Sequence, residues 1–513
     1  MHRCLDVQEI LSLICKEASG GDPLTSTSHK TLAALAQSCK TLEQPALDAL
    51  WHTQTDLTRL LRCFPADALN TDGHRPLTFC RPLTPDDWSR VLFYTPRIKV
   101  LQYQMSKTSR DPTQPDHDLT DITVWQMLAI SRPPTLTHLL PNLRHLAWHE
   151  SEEAASPYIR LLLSPTLSYL ELWTKTRTFS SLLLSLVPSI LGLCPLLEGI
   201  SLRGLGTTTA VNIVSNAICQ WMPLRHLGIG ALTPNAFIHI ARMPRLQTLH
   251  LFDLFLFEKQ ILPSSDEYFP ALLELVLLEA DPLWATDLIT STTPFLLRKF
   301  GLRVGGYHAP SEWKQLLTAL VSLQSTLTSL VIKEIPVGMP SHIFREEHML
   351  NYDVLKPLLD LPNLTVLKVG PIQGVYINNE ELKELSVALP CLRELELGLT
   401  RSLVETRITL AGLIPLIIHC PDLETLGICV NAAVIDYSLE ASPGIMPRNE
   451  KFRSLSVGDS SSIEDAVHVA AFLMDVFPHL TSLEVSRYAD AYEIWTQVAR
   501  LLRTFATRRF PVI

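Results

Sequence analysis

An α/β solenoid is the fold class this sequence predicts, and three observations carry the prediction. A short apolar phrase recurs along most of the 513 residues, a proline precedes it far more often than composition allows, and segments of helical spacing separate its copies. The phrase is apolar-x-x-apolar-x-apolar, as in Leu143-Arg144-His145-Leu146-Ala147-Trp148. Fourteen copies run from Ile98 to Leu480; after a first gap of 45 residues they follow at intervals of 22 to 37. Proline stands two residues before the first apolar position in ten of the fourteen, where 36 prolines in 513 residues would give one by chance, so the repeat is real.

Each copy reads as a strand, because alternation puts the second and third apolar residues on one face and the intervening residues on the other. Between copies, stretches such as Ser311-Glu312-Trp313-Lys314-Gln315-Leu316-Leu317 and Asn379-Glu380-Glu381-Leu382-Lys383-Glu384-Leu385 have helical periodicity and capping residues. A strand-plus-helix unit cannot bury its own apolar face, so its neighbours must stack, with parallel strands inside and helices outside. The proline ends each helix and lacks a donor that the sheet would need. Residues 96–513 in this way resemble the leucine-rich-repeat family, and the resemblance implies an irregular horseshoe of about fourteen repeats. Residues 110–121, 335–351 and 434–450 break the rhythm and read as loops.

Residues 1–65 differ in kind, and 66–95 read as a connecting segment. Val7–Ile14, Thr31–Cys39 and Gln44–Trp51 are short helical stretches, with Leu32, Leu35, Ala36 and Cys39 on one face. Taken by themselves they suit a cap for the open end of an array. The words Glu9-Ile10-Leu11 with Ile14, Leu32-Ala33-Ala34-Leu35 with Cys39-Lys40, and Pro45-Ala46-Leu47-Asp48-Ala49-Leu50-Trp51 are similar to the F-box-like module of fungal F-box proteins that carry C-terminal leucine-rich repeats. That resemblance implies a small all-α module that docks on a Skp-type adaptor and, through it, a cullin ligase core. It places Val7, Glu9, Ile10, Leu11, Ile14, Leu32, Leu35 and Cys39 in or behind the docking surface, with Trp51 fastening the module to the rest of the chain. The chain is then a substrate-recognition adaptor in ubiquitin conjugation, and not an enzyme. The alternative is a repeat scaffold whose helices only cap the array; Gln8, where the family usually has proline, favours it.

A protein target would meet the residues that flank the second and third apolar positions. The early copies are rich there in aromatic, His and Arg side chains, the composition of binding hot spots. Tyr169, Trp173, Arg203, His250, Phe252 and Arg303 are the recognition candidates. The net charge of −9 gives no footprint for nucleic acid. Ten cysteines form no CxxC pair, and no P-loop, GxSxG turn or HExxH helix occurs, so neither cofactor nor metal is expected. Asp6 and Glu9 interrupt any signal-peptide run, which predicts a cytoplasmic or nuclear location. Residues 180–197 carry no charge, but Pro188, Gly192 and Pro195 argue for a buried repeat helix over a membrane span.

Overall fold

The computed structural model describes residues 7–18, 26–70, 77–104, 122–150, 153–174, 178–221, 224–252, 268–292, 296–335, 348–400, 405–434, 447–487 and 491–509. Its chain forms two compact units, Met1–Arg245 and Leu246–Ile513. The expected loop 110–121, with the acidic cluster Asp116-His117-Asp118, lies outside the described residues, as do 336–347 and 435–446 of the other two.

The first unit opens with three helices, α1 (Gln8–Ala18), α2 (Ser26–Ser38) and α3 (Lys40–His52). Cys15, Leu32 and Ala46, one from each, make their common core, with Leu35, Ala36, Leu42, Ala49 and Leu50 packed against it. The module is not purely helical: α3 runs straight into β1 (Thr53–Gln54), which pairs in parallel with β2 (Val100–Gln104). Trp51 stacks on Tyr94 with ring centroids 4.3 Å apart, so an aromatic pair joins the helices to the connecting segment. That segment carries a short hairpin, Leu69–Asn70 against Thr78–Phe79, and the helix Ser89–Tyr94.

The sheet of the first unit continues through β3 (His145–Glu150), β4 (Tyr169–Thr174), β5 (Gly199–Arg203) and β6 (His226–Ile229), each parallel to its neighbour. In the second unit β7 (Thr248–Leu251), β8 (Glu274–Leu278), β9 (Lys299–Gly305), β10 (Ser329–Ile335), β11 (Val366–Gly370), β12 (Glu394–Leu397), β13 (Thr425–Ile428), β14 (Ser454–Val457) and β15 (Ser482–Val485) pair in the same sense. Every copy of the phrase thus supplies one strand, and the alternation of strand and helix is that of a leucine-rich-repeat-like array.

Register explains the regularity. Leu146 pairs with Leu101 on one side and Leu170 on the other, and Leu367 with Leu330 and Leu395, so like positions form continuous apolar ladders. From Ile98 to Val457 the three apolar positions of every copy are buried. Each such side chain contributes about 1.5–3 kcal/mol by leaving water. The final copy departs from this, because Leu480, Leu483 and Val485 are only half-buried where the ladder ends.

Helix starts are equally local. Thr207 caps the helix Thr208–Ile218 by accepting from the Ala210 amide at 3.2 Å, while Gly204 (φ 118°) supplies a turn that L side chains avoid. Asn378 and Glu381 form a reciprocal capping box on Asn379–Ala388. The uncharged stretch 180–197 is broken into two short helices, Ser181–Leu186 and Ile190–Leu193, separated by Pro188. No helix among the described residues is long and apolar enough to cross a membrane.

Candidate protein-binding surfaces

Two surfaces of the first unit and one of the second collect the residues singled out in the sequence. On α1, Leu11 and Cys15 are buried, Cys15 in the three-helix core, and the turns around them leave an apolar side uncovered. Val7, at the helix start, is 42 % exposed, Ile10 36 %, Leu13 60 % and Ile14 41 %, spaced as one stripe of a helix. Glu9 is exposed beside them. Leu11 and Leu32 are buried and Leu35 packs on the same core, so these three support the stripe and do not form it. Cys39 lies at the start of α3, its sulfur 3.1 Å from the Thr41 hydroxyl, and this contact holds its thiol below the ordinary cysteine value. Leu13 joins the surface although the sequence does not single it out; the Leu11–Leu13 alternation hides it, since only the three-helix packing decides which of the two faces inward.

Across β3–β6 the side chains opposite the ladders form an aromatic and histidine face. His145 stacks on Tyr169 at 5.8 Å, and Tyr169 lies over Gly199, where a Cβ would come within 2.5 Å of the ring. Burial raises the Tyr169 phenol above its usual range. His149 meets Trp173 edge-on at 5.4 Å and has its Nε2 3.6 Å from Glu171 Oε1. Trp173 is 39 % exposed, and Arg203 follows it in register on β5. Tyr169, Trp173 and Arg203 are therefore brought together on adjacent strands.

The second unit presents a different face. His250 Nε2 lies 3.0 Å from Glu274 Oε1, Lys299 Nζ 3.6 Å from Glu274, Lys368 Nζ 2.6 Å from Glu394, and Lys333 Nζ 2.7 Å from Glu396. Lys333 crosses β11 over Gly370, whose missing side chain leaves the path open. The three lysine contacts are cross-strand ion pairs, and His250 with Glu274 is a cross-strand hydrogen bond, contacts that help hold the strands together. Arg303 is exposed among them. Phe252 is the exception among the recognition candidates: it is 5 % exposed, with His250 edge-on at 6.4 Å, because it follows the last residue of β7 and turns inward. It does not face a partner. Val276, Gly301 and Val331, paired across β8, β9 and β10, add an apolar strip that the candidates from sequence do not include. Its signal is the unbroken apolar run in Leu275-Val276-Leu277-Leu278 and Leu330-Val331-Ile332, where alternation would put polar residues.

Among the described residues no group of three or more His, Cys, Asp or Glu side chains could hold a metal ion. Burial pushes the Cys194 and Cys420 thiols up to about 12, which leaves them protonated and chemically quiet.

No protein-family model matches the chain, and no curated protein matches it. Among solved structures it is similar to a chain in the crystal structure of the yeast Rad7–Elc1 complex, at 14 % identity and a TM-score of 0.37, over 71 % of this chain and 84 % of that one. It is also similar to the leucine-rich repeat-containing protein LegL7 from Legionella pneumophila, at 12 % identity and a TM-score of 0.28, over 70 % and 98 % of the respective chains. Neither likeness bears on what this chain binds.

Proposed function

We propose that this chain is a non-catalytic adaptor: α1 docks on a Skp-type adaptor of a cullin ubiquitin ligase, and the strand faces hold a protein target. The observation that carries the reading is the stripe Val7, Ile10, Leu13 and Ile14, four large apolar side chains open to water on a helix anchored to the fold by its two buried residues, Leu11 and Cys15. A helix of this kind gains stability when a partner covers it. The similarity of residues 1–65 to F-box-like modules supplies the identity of that partner. Target selection falls to Tyr169, Trp173 and Arg203 on one unit and to Arg303 and the ion-paired face around His250 on the other. In this reading ubiquitin transfer belongs to other subunits, and the chain works in the cytoplasm or nucleus.

One observation favours a second reading, a repeat scaffold capped by its N-terminal helices. β1 closes the edge of the sheet, which is what a cap does.

Capture of the full chain by a purified Skp-type adaptor separates the two. The double substitution Ile10→Asp with Leu13→Asp charges the stripe at exposed positions, and the adaptor reading expects capture to be lost while thermal melting is unchanged. Failure of the wild-type chain to bind would leave the scaffold reading standing.

A further inference from the structure

The parallel register that builds the first sheet also assembles an edge of basic residues. The Lys99 amide donates to the His52 carbonyl at 2.9 Å, and the Arg144 amide donates to the Lys99 carbonyl at 2.8 Å. His52, Lys99 and Arg144 therefore occupy the same place at the starts of β1, β2 and β3, on rungs about 4.8 Å apart. His145 follows Arg144 directly, and Lys16 approaches from α1 closely enough for its charge to be felt at His52.

A cavity of about 450 Å³ opens beside them, lined by Asp48, His52, Phe93, Pro96, Arg97 and Lys99. Its one carboxylate, Asp48, pairs with Arg97 and is also felt at Lys99, whose Nζ donates to the Pro96 carbonyl at 3.0 Å, and the Arg97 guanidinium lies 4.7 Å over the Phe93 ring. Phe93 itself is 46 % exposed. No carboxylate among the described residues comes within ion-pair distance of His52, Lys99 or Arg144. Burial and then the neighbouring cations lower the pKa of His52, which favours its neutral, hydrogen-bonding ring, while burial and then Arg144 lower that of Lys99 against the opposing pull of Asp48.

We propose that this edge is a docking surface for an acidic peptide segment of a partner protein, its carboxylates spanning His52, Lys99 and Arg144 while Phe93 offers an apolar contact at the mouth of the cavity. Three rungs cover roughly 10 Å, the reach of a short peptide. A nucleic-acid strand fits less well, because the net charge of −9 repels a long polyanion and a single exposed ring makes no stacking series. The surface is separate from the apolar stripe of α1 and does not depend on the adaptor reading.

The test is fluorescence anisotropy of a labelled Glu/Asp-rich peptide with the full chain at low and moderate salt. Arg144→Glu and His52→Gln, both at exposed positions, and Lys99→Met, which keeps the aliphatic stem, should each weaken binding, Arg144→Glu by about tenfold or more. Arg453→Glu, at a strand start in the second unit, should leave it unchanged. Equal loss in Arg453→Glu would overturn the proposal by showing that the peptide reads general charge. Equal binding of the same peptide with Gln in place of Glu and Asp, or tighter binding of a single-stranded oligouridylate, would also overturn it. Thermal melting of each variant checks that a loss is local.

Discussion

Glu334 shows how much a single side chain can organise in this chain. Its Oε1 accepts from the Trp313 indole at 3.0 Å and the His308 amide at 3.3 Å, and its Oε2 accepts from the Ile372 amide at 2.8 Å, so one carboxylate ties the end of β10 to two neighbouring segments. Burial outweighs these donors and raises its pKa above the ordinary glutamate value near 4.5. The folded chain therefore binds the proton more tightly than the unfolded chain. The stability this contributes is full below about that value and declines as pH rises through the raised one. Melting curves across acid to neutral pH should accordingly show the margin of wild type over Glu334→Gln largest at low pH. A margin that grows toward neutrality would contradict the assignment. Gly199 makes a second case at this scale. A methyl group there meets the Tyr169 ring and, at 3.1 Å, the His226 Cβ, so Gly199→Ala should displace Tyr169 on the strand face, altering the near-ultraviolet circular dichroism and weakening target binding while melting changes by about 1 kcal/mol.

At the scale of elements, the strands are legible in the sequence because their signal is repeated and each copy needs the same three buried positions. The helices of residues 7–52 are legible for a similar reason, with apolar residues at helical spacing. The illegible part is decided by packing between elements. Leu11 and Leu13 are chemically alike and two residues apart, yet one is buried and the other is in water. Substitution to Asp should separate them: Leu11→Asp should unfold the three-helix module, with a loss of about 3 kcal/mol or more from a buried unpaired charge, and Leu13→Asp should leave its melting intact. Circular dichroism of the two single variants decides this. Phe252 is misplaced by sequence for the same physical reason, since alternation along β7 stops where the strand does, and β1 is hidden because two residues are too few to show a period.

For each unit as a whole, in-register ladders mean that a residue is stabilised mainly by the repeat before and the repeat after. Among the described residues no strand follows the last copy, and Trp495, on the helix Tyr492–Arg509, is buried and donates its indole N–H to the Ser461 carbonyl at 3.2 Å, tying that helix to the segment after β14. Trp495→Ala should cost about 3–5 kcal/mol locally. Hydrogen exchange should then accelerate in β14 and β15 and stay unchanged in β2–β6; uniform acceleration would mean that the chain melts as one cooperative block. At the opposite end, β1 has a consequence for geometry. Because α3 passes into the sheet without an intervening stretch of loose chain, and Trp51 is clamped on Tyr94, the helical module has no tether on which to swing. In the proposed adaptor reading, a partner seated on α1 would be held at one orientation to the Tyr169 and Trp173 face, and a cargo bound there would be aimed at a fixed range of directions. Adding a flexible spacer after Gln54 would then turn a rigid jig into a leash, with both partners still bound and their relative placement lost.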